Sequence, residues 1–153
     1  MENIKKTNEM LMTSIFEVFE KMFFTFLEPL DEDEPVWNYD MVATIQFFGP
    51  NKGDMSIYLS NGLAETMVEN MLNIGADDIT EPLVMDITKE AVNMICGNFL
   101  RKLDVSKVYD LTIPTFERVS GTFSFKENSE KKIKLALESD GDQLGILLSL
   151  SHS

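Results

Sequence analysis

Residues 80–103 read Thr80-Glu81-Pro82-Leu83-Val84-Met85-Asp86-Ile87-Thr88-Lys89-Glu90-Ala91-Val92-Asn93-Met94-Ile95-Cys96-Gly97-Asn98-Phe99-Leu100-Arg101-Lys102-Leu103. The apolar residues recur at three- and four-residue intervals, the spacing of one face of an α-helix. Thr80 suits the N-cap, Pro82 is tolerated in the first turn, and the pattern runs to about Leu103. Val84, Ile87, Ala91, Ile95, Phe99 and Leu103 make a coherent core face. Opposite them, Asp86, Glu90, Asn93 and Gly97 fall within about 60° of one another at about 100° per residue. The two acids, one turn apart, repel. Asp, Asn and Gly are poorer helix formers than Ala, Glu or Lys, and Gly alone costs about 1 kcal/mol. Such a stripe is either a plain solvated face or an open stretch where another molecule approaches the backbone.

Upstream, residues 7–27 predict a second long helix, rich in apolar side chains (Ile15, Phe16, Phe19, Met22, Phe23, Phe26, Leu27) and broken by Pro29. Shifting it by 73 residues lays Glu17 on Glu90, Met22 on Ile95, Phe26 on Phe99, Leu27 on Leu100 and Leu30 on Leu103. Each helix is followed by a strand pair. Strands at 41–48 and 54–60 flank the turn Gly49-Pro50-Asn51-Lys52-Gly53, and strands at 131–138 and 144–150 flank Ser139-Asp140-Gly141-Asp142. The two glycines at 49 and 53 lack the strand-then-helix context of a phosphate loop. A short amphipathic helix over 62–73 joins the halves, and the second half carries an extra hairpin over 108–125. The order predicts one α+β domain over 1–153, an antiparallel sheet packed against long helices with a pseudo-twofold internal duplication. The run Asp31-Glu32-Asp33-Glu34-Pro35 reads as a solvated connection, with Trp37 anchoring it on the sheet.

Composition removes most other chemistry. With 26 Asp plus Glu against 13 Lys plus Arg, the net charge is −13, which repels nucleic-acid backbones and anionic membranes. Cys96 is the only cysteine and His152 the only histidine, so neither a Cys/His zinc site nor a histidine-based triad can be assembled. Cys96, toward the apolar side of its helix, reads as a core residue. No apolar run reaches ~18 residues, and Met1-Glu2-Asn3-Ile4-Lys5-Lys6 lacks a signal-peptide layout, so a cytoplasmic location is expected. Carboxylates, amides, hydroxyls and lysines remain.

The segment Asp86 to Asn98 resembles the signature of the CheX/CheC chemotaxis phosphatases: an Asp or Ser, three residues, Glu, two residues, Asn, and usually Gly four residues later. The order of elements and the duplicated halves extend the resemblance over nearly the whole chain. With one intact copy of the signature the chain is closer to CheX than to CheC. At the 73-residue offset, Thr13, Glu17, Glu20 and Phe24 stand in the places of Asp86, Glu90, Asn93 and Gly97, so the first helix is expected to be inactive. Pro114 follows Asn93 at a spacing slightly short of the family's downstream proline, and no role is assigned to it here.

The resemblance implies a hydrolase that removes the phosphoryl group from the aspartyl-phosphate of a CheY-type response regulator. Asn93 would position the attacking water and Glu90 would pair with the regulator's lysine. Asp86 would add negative potential or orient Glu90, and Gly97 would permit close approach. The chain would need no cofactor of its own, because the regulator supplies the divalent metal (Mg). The implied partners are a phosphorylated regulator and a second copy of the chain, paired through the sheets. Two alternatives stand beside this: a non-catalytic adaptor for a response regulator or signalling complex, and a structural relative of flagellar motor-switch proteins. The retained amide argues against both.

Overall fold

The computed structural model describes residues 2–30, 37–124 and 132–151. The acidic run 31–35 and His152 lie outside the described residues. Helix α1 (Glu2–Phe23) is followed by β1 (Glu28–Pro29), β2 (Trp37–Tyr39), β3 (Met41–Phe48), β4 (Lys52–Leu59) and helix α2 (Asn61–Leu72). A short 3-10 turn (Ala76–Asp78) leads into α3 (Glu81–Leu103). Then come β5 (Asp110–Leu111), β6 (Thr115–Glu117), β7 (Gly121–Phe123), β8 (Lys132–Ser139) and β9 (Asp142–Ser151). The chain is α+β, as expected, with an antiparallel sheet and three α-helices.

The main sheet has seven strands in the order β1-β8-β9-β4-β3-β5, with β6 also pairing β3. This order carries the duplication. The two hairpins meet through β9 and β4, from Lys52↔Ser151 to Leu59↔Leu144. The short strand after each long helix crosses to the other half: β1 pairs β8, while β5 and β6 pair β3. Strand alternation explains the layering, because period-two side chains from four strands align in rows. Ile45, Met55, Leu148 and Ile133 form one row, and Met41, Leu59, Leu144 and Leu137 another. These rows join buried residues of all three helices in the main core. In the β8–β9 turn Asp140 (φ 50) and Gly141 (φ 88) both take left-handed angles, which a two-residue hairpin of matching twist requires.

Two local expectations need correction. The first helix does not reach residue 27; it ends at Phe23. Phe24 turns left-handed (φ 49), the Thr25 N–H reaches back to the Phe19 carbonyl (3.0 Å), and the Thr25 hydroxyl donates to the Phe23 carbonyl (2.8 Å). No glycine or proline announces that stop. The segment 108–125 is not a self-contained hairpin: β5 and β6 pair with β3, whereas β7 pairs with β2. Trp37 rests on the sheet as expected: from β2 it packs on Phe123 (ring centroids 5.5 Å) and with Ala136 of β8 in a second, smaller core.

Candidate active site

Helix α3 is held from below by Val84, Ile87, Ala91, Val92, Ile95, Cys96, Phe99 and Leu100, all buried. Thr88, also buried, directs its hydroxyl to the Met41 sulfur on β3 (3.8 Å). With that face committed to the core, the helix presents Asp86, exposed, and Glu90, Asn93 and Gly97, half-buried, along the other side. Residues three and four apart on a helix have Cβ atoms about 5–6 Å apart, so Glu90 and Asn93 act on the same neighbourhood. Among the described residues, neither has a hydrogen-bond or ion-pair partner.

A groove of about 440 Å³ runs along this face, lined by Asp86, Lys89, Glu90 and Asn93 from α3 and by Thr112, Ile113 and Pro114 opposite. The opposite wall is tied to the sheet. The Gln46 N–H donates to the Thr112 hydroxyl (3.0 Å), and the Thr112 N–H donates to the Gln46 carbonyl (3.0 Å). Beyond β6, Arg118 grips Glu81 at the start of α3 through two bonds (2.5 and 2.8 Å) and Asn61 through a third (2.8 Å). That guanidinium holds the Glu81 carboxyl below its ordinary value. Lys89, Thr112, Ile113 and Pro114 join the groove without having been singled out as site residues. Only Pro114 carried a signal, its distance from Asn93.

Gly97 has no structural need to be glycine. A Cβ built there meets no heavy atom within 4 Å, and the residue sits mid-helix. Gly97→Ala should therefore stabilise the chain by about 0.5–1 kcal/mol and raise Tm by about 1–4 °C, read by thermal denaturation. The cost is retained at a position where the surface is otherwise open.

The corresponding face of α1 is differently occupied. Glu17 forms an ion pair with Lys102 of α3 (3.0 Å), so its carboxylate is engaged inside the molecule. Phe24, which the 73-residue offset lays on Gly97, falls beyond the end of α1, takes a left-handed backbone (φ 49) and is 67% exposed. Cys96 is buried, and burial pushes its thiol up to about 12, so it stays protonated and unreactive at neutral pH.

Fold and site together define a CheC-like domain: two helix-plus-hairpin halves around one sheet, one of which carries an open acid–amide helix face. The chain belongs to the CheX family of chemotaxis phosphatases, whose family model matches residues 41–138. The chain is similar in structure to the chemotaxis protein CheX from Vibrio vulnificus, with TM-score 0.77 and 23% identity over 95% of this chain and 96% of that one. It is also similar to a chain of the CheX–CheY–BeF3–Mg2+ complex from Borrelia burgdorferi, with TM-score 0.68 and 15% identity over 94% and 97% of the two chains. FliY from Thermotoga maritima gives TM-score 0.60 and 14% identity over 97% of this chain and 90% of that one. At these identities the likenesses establish the fold. No curated protein matches the chain in sequence.

Proposed function

We propose that the protein accelerates hydrolysis of the aspartyl-phosphate on a CheY-type response regulator, with the α3 groove as the site. The observation that carries this reading is the pair Glu90 and Asn93, one turn apart on an open face and without internal partners among the described residues. An acyl phosphate is already activated, so the visiting protein has only to hold a water in line with the phosphorus. A carboxamide can both accept from and donate to that water without bringing charge toward an anionic phosphoryl group. Asn93 takes this role. The water oxygen bonds to phosphorus, the bond from phosphorus to the carboxylate oxygen breaks, and the regulator's aspartate leaves as a carboxylate. The water's protons stay with the phosphate product and solvent.

Glu90 docks the regulator's lysine, fixing register and covering the reacting atoms. Asp86, at the solvent edge of the same face, adds to the negative potential that attracts that lysine. Gly97 lets the regulator approach the helix, so Gly97→Ala should weaken docking while it stabilises the fold. Among the described residues, no group of three His, Cys, Asp or Glu side chains is placed to hold a metal, and the divalent ion (Mg) is assigned to the regulator. A regulator partner is supported by the CheX–CheY complex from Borrelia burgdorferi. No helix among the described residues is long and apolar enough to cross a membrane, which accords with the proposed cytoplasmic regulator. A homodimer joined at a sheet edge is compatible with β8, whose outer side pairs with β1 only at Leu137 and Glu138 among the described strands.

The test is a decay assay. A regulator phosphorylated with acetyl phosphate and freed of donor should lose its phosphate faster with the protein present in substoichiometric amount. Complex formation with unchanged decay would leave only the adaptor reading. The first half serves as an internal control, because Glu17 is paired with Lys102 and Glu20 stands in place of the amide. Glu17→Ala should leave turnover within about twofold of wild type; a loss beyond tenfold would mean that α1 takes part.

A further inference from the structure

A second hollow lies further along the same helix. It is a separate cleft of about 300 Å³ between the last turns of α3 and the segment 107–111, lined by Gly97, Leu100, Arg101, Lys107, Val108, Tyr109 and Leu111. Gly97 is one helical turn beyond Asn93, so the two hollows share the same strip of helix. The second differs in chemistry. Arg101 and Lys107 are its only ionisable cations and no acid lines it, in a chain of net charge −13. Of the nearby acids, Asp104 lies outside the lining and caps its own turn, accepting from the Ser106 N–H (3.1 Å) and hydroxyl (2.8 Å). Asp110 stands on β5, outside the lining.

A cation near a helix C-terminus has an ordinary explanation in the helix dipole, and Arg101 and Lys102 partly satisfy it. Lys102 is also spoken for by Glu17. Lys107 lies beyond the helix, and the dipole does not account for it. Nor does it account for the apolar side chains around the cleft: Val105 (86% exposed), Val108 (85%) and, at the neighbouring groove, Ile113 (86%). The cleft wall is fixed by Tyr109, which packs edge-on against Phe47 (6.2 Å) and receives a hydrogen bond from the Asn51 amide (3.1 Å). Asn98 accepts from the Arg101 guanidinium, holding it along the helix.

We propose that this cleft is a second contact for the response regulator, specific for a carboxylate beside an apolar side chain, and that it sets the regulator's orientation and specificity. The inference rests on the docking of a regulator at Glu90 and Asn93. From Asp86 to Arg101 the helix rises about 22 Å, within the breadth of a standard interface burying about 800 Å² per partner. The strip is net acidic at one end, where Asp86 and Glu90 stand beside Lys89, neutral at Asn93 and cationic at the other. A regulator that places its lysine over Glu90 and a carboxylate over Arg101 and Lys107 satisfies both ends. The reversed orientation sets like charges against each other at both. Exposed charges of this kind act mainly on encounter and affinity, so the cleft governs KM and leaves kcat to Asn93.

The test is the double charge reversal Arg101→Glu with Lys107→Glu, two exposed positions, measured with the regulator phosphorylated by acetyl phosphate. KM should rise about tenfold at low salt with kcat unchanged, and the salt dependence of kcat/KM should flatten. Kd for the beryllofluoride-loaded regulator should rise in parallel. If the double variant melts early, Lys107→Gln, outside the helix, should still raise KM by a smaller factor. Changing surface carboxylates of the regulator that lie about 15–20 Å from its phosphorylation site to lysine, one at a time, should restore affinity for the reversed variant in one case. Unchanged KM and Kd in both variants, or no rescue by any of the regulator changes, would overturn the proposal. Asn93→Ala in the same assay separates the two levels: normal turnover there removes the chemical assignment, while the Kd of the charge-reversed variant still reports on the cleft.

Discussion

Asn93→Ala should lose the acceleration of regulator dephosphorylation while still binding the regulator. The side chain is half-buried in the groove, has no internal partner among the described residues, and lies opposite Thr112, Ile113 and Pro114 rather than in the core. Truncation therefore removes no contact that supports the fold, and alanine is the better helix former. The amide of Asn93 is the only uncharged side chain on the α3 side of the groove that can both accept from and donate to a water. Removal of a single positioned polar group of this sort costs about 10²–10³-fold in kcat. Binding of the beryllofluoride-loaded regulator should change by less than about threefold, because that affinity depends on the charged ends of the strip. A loss of kcat with KM retained is the signature of a group that acts in the transition state.

Glu90→Ala should weaken both binding and turnover. In the free protein Glu90 is half-buried and unpaired among the described residues, and in the proposed complex it would meet the regulator's lysine away from bulk water. Its removal leaves that lysine without a partner in a desolvated place, a larger loss than the pair's net contribution. KM should rise about 10–100-fold, or about 1.4–2.8 kcal/mol, measured by titrating the phosphorylated regulator. The same lysine is held beside the phosphoryl group, so kcat should fall as well, though less than for Asn93→Ala. Asp86 is more exposed than Glu90, and screening makes its contribution smaller.

Much of this architecture was legible because the information is local. Thr80, Pro82 and an unbroken apolar period define α3, and the observed helix begins at Glu81 and ends at Leu103. Alternating residues from Met41 to Phe48 give a strand with those limits, because one face must meet the core. Asp86, Glu90, Asn93 and Gly97 share a face for the same reason: helical period alone puts them there. The stop of α1 at Phe23 was not legible, since it depends on a phenylalanine taking an angle that sequence normally reserves for glycine or asparagine. The residues facing Asn93 were hidden for a different reason. Thr112 reaches the groove only by bonding Gln46, 66 positions earlier, and such non-local pairing leaves no periodic trace. Arg101 and Lys107 are joined by the local turn at Asp104–Lys107, but the wall they share depends on Tyr109 packing on Phe47. Charge counts alone spread the −13 over the whole molecule. The proposed function places its use on a strip of α3, with Asp86 and Glu90 toward one end and Arg101 toward the other.

The most direct measurement is the decay rate of a phosphorylated regulator as a function of protein concentration, with wild type and Asn93→Ala side by side. Wild type should rise to a plateau well above the regulator's own rate. Asn93→Ala should titrate over the same concentrations, as reported by binding, while decay stays at the regulator's own rate. A plateau for Asn93→Ala equal to that of wild type would contradict the assignment of the α3 groove as the site of hydrolysis.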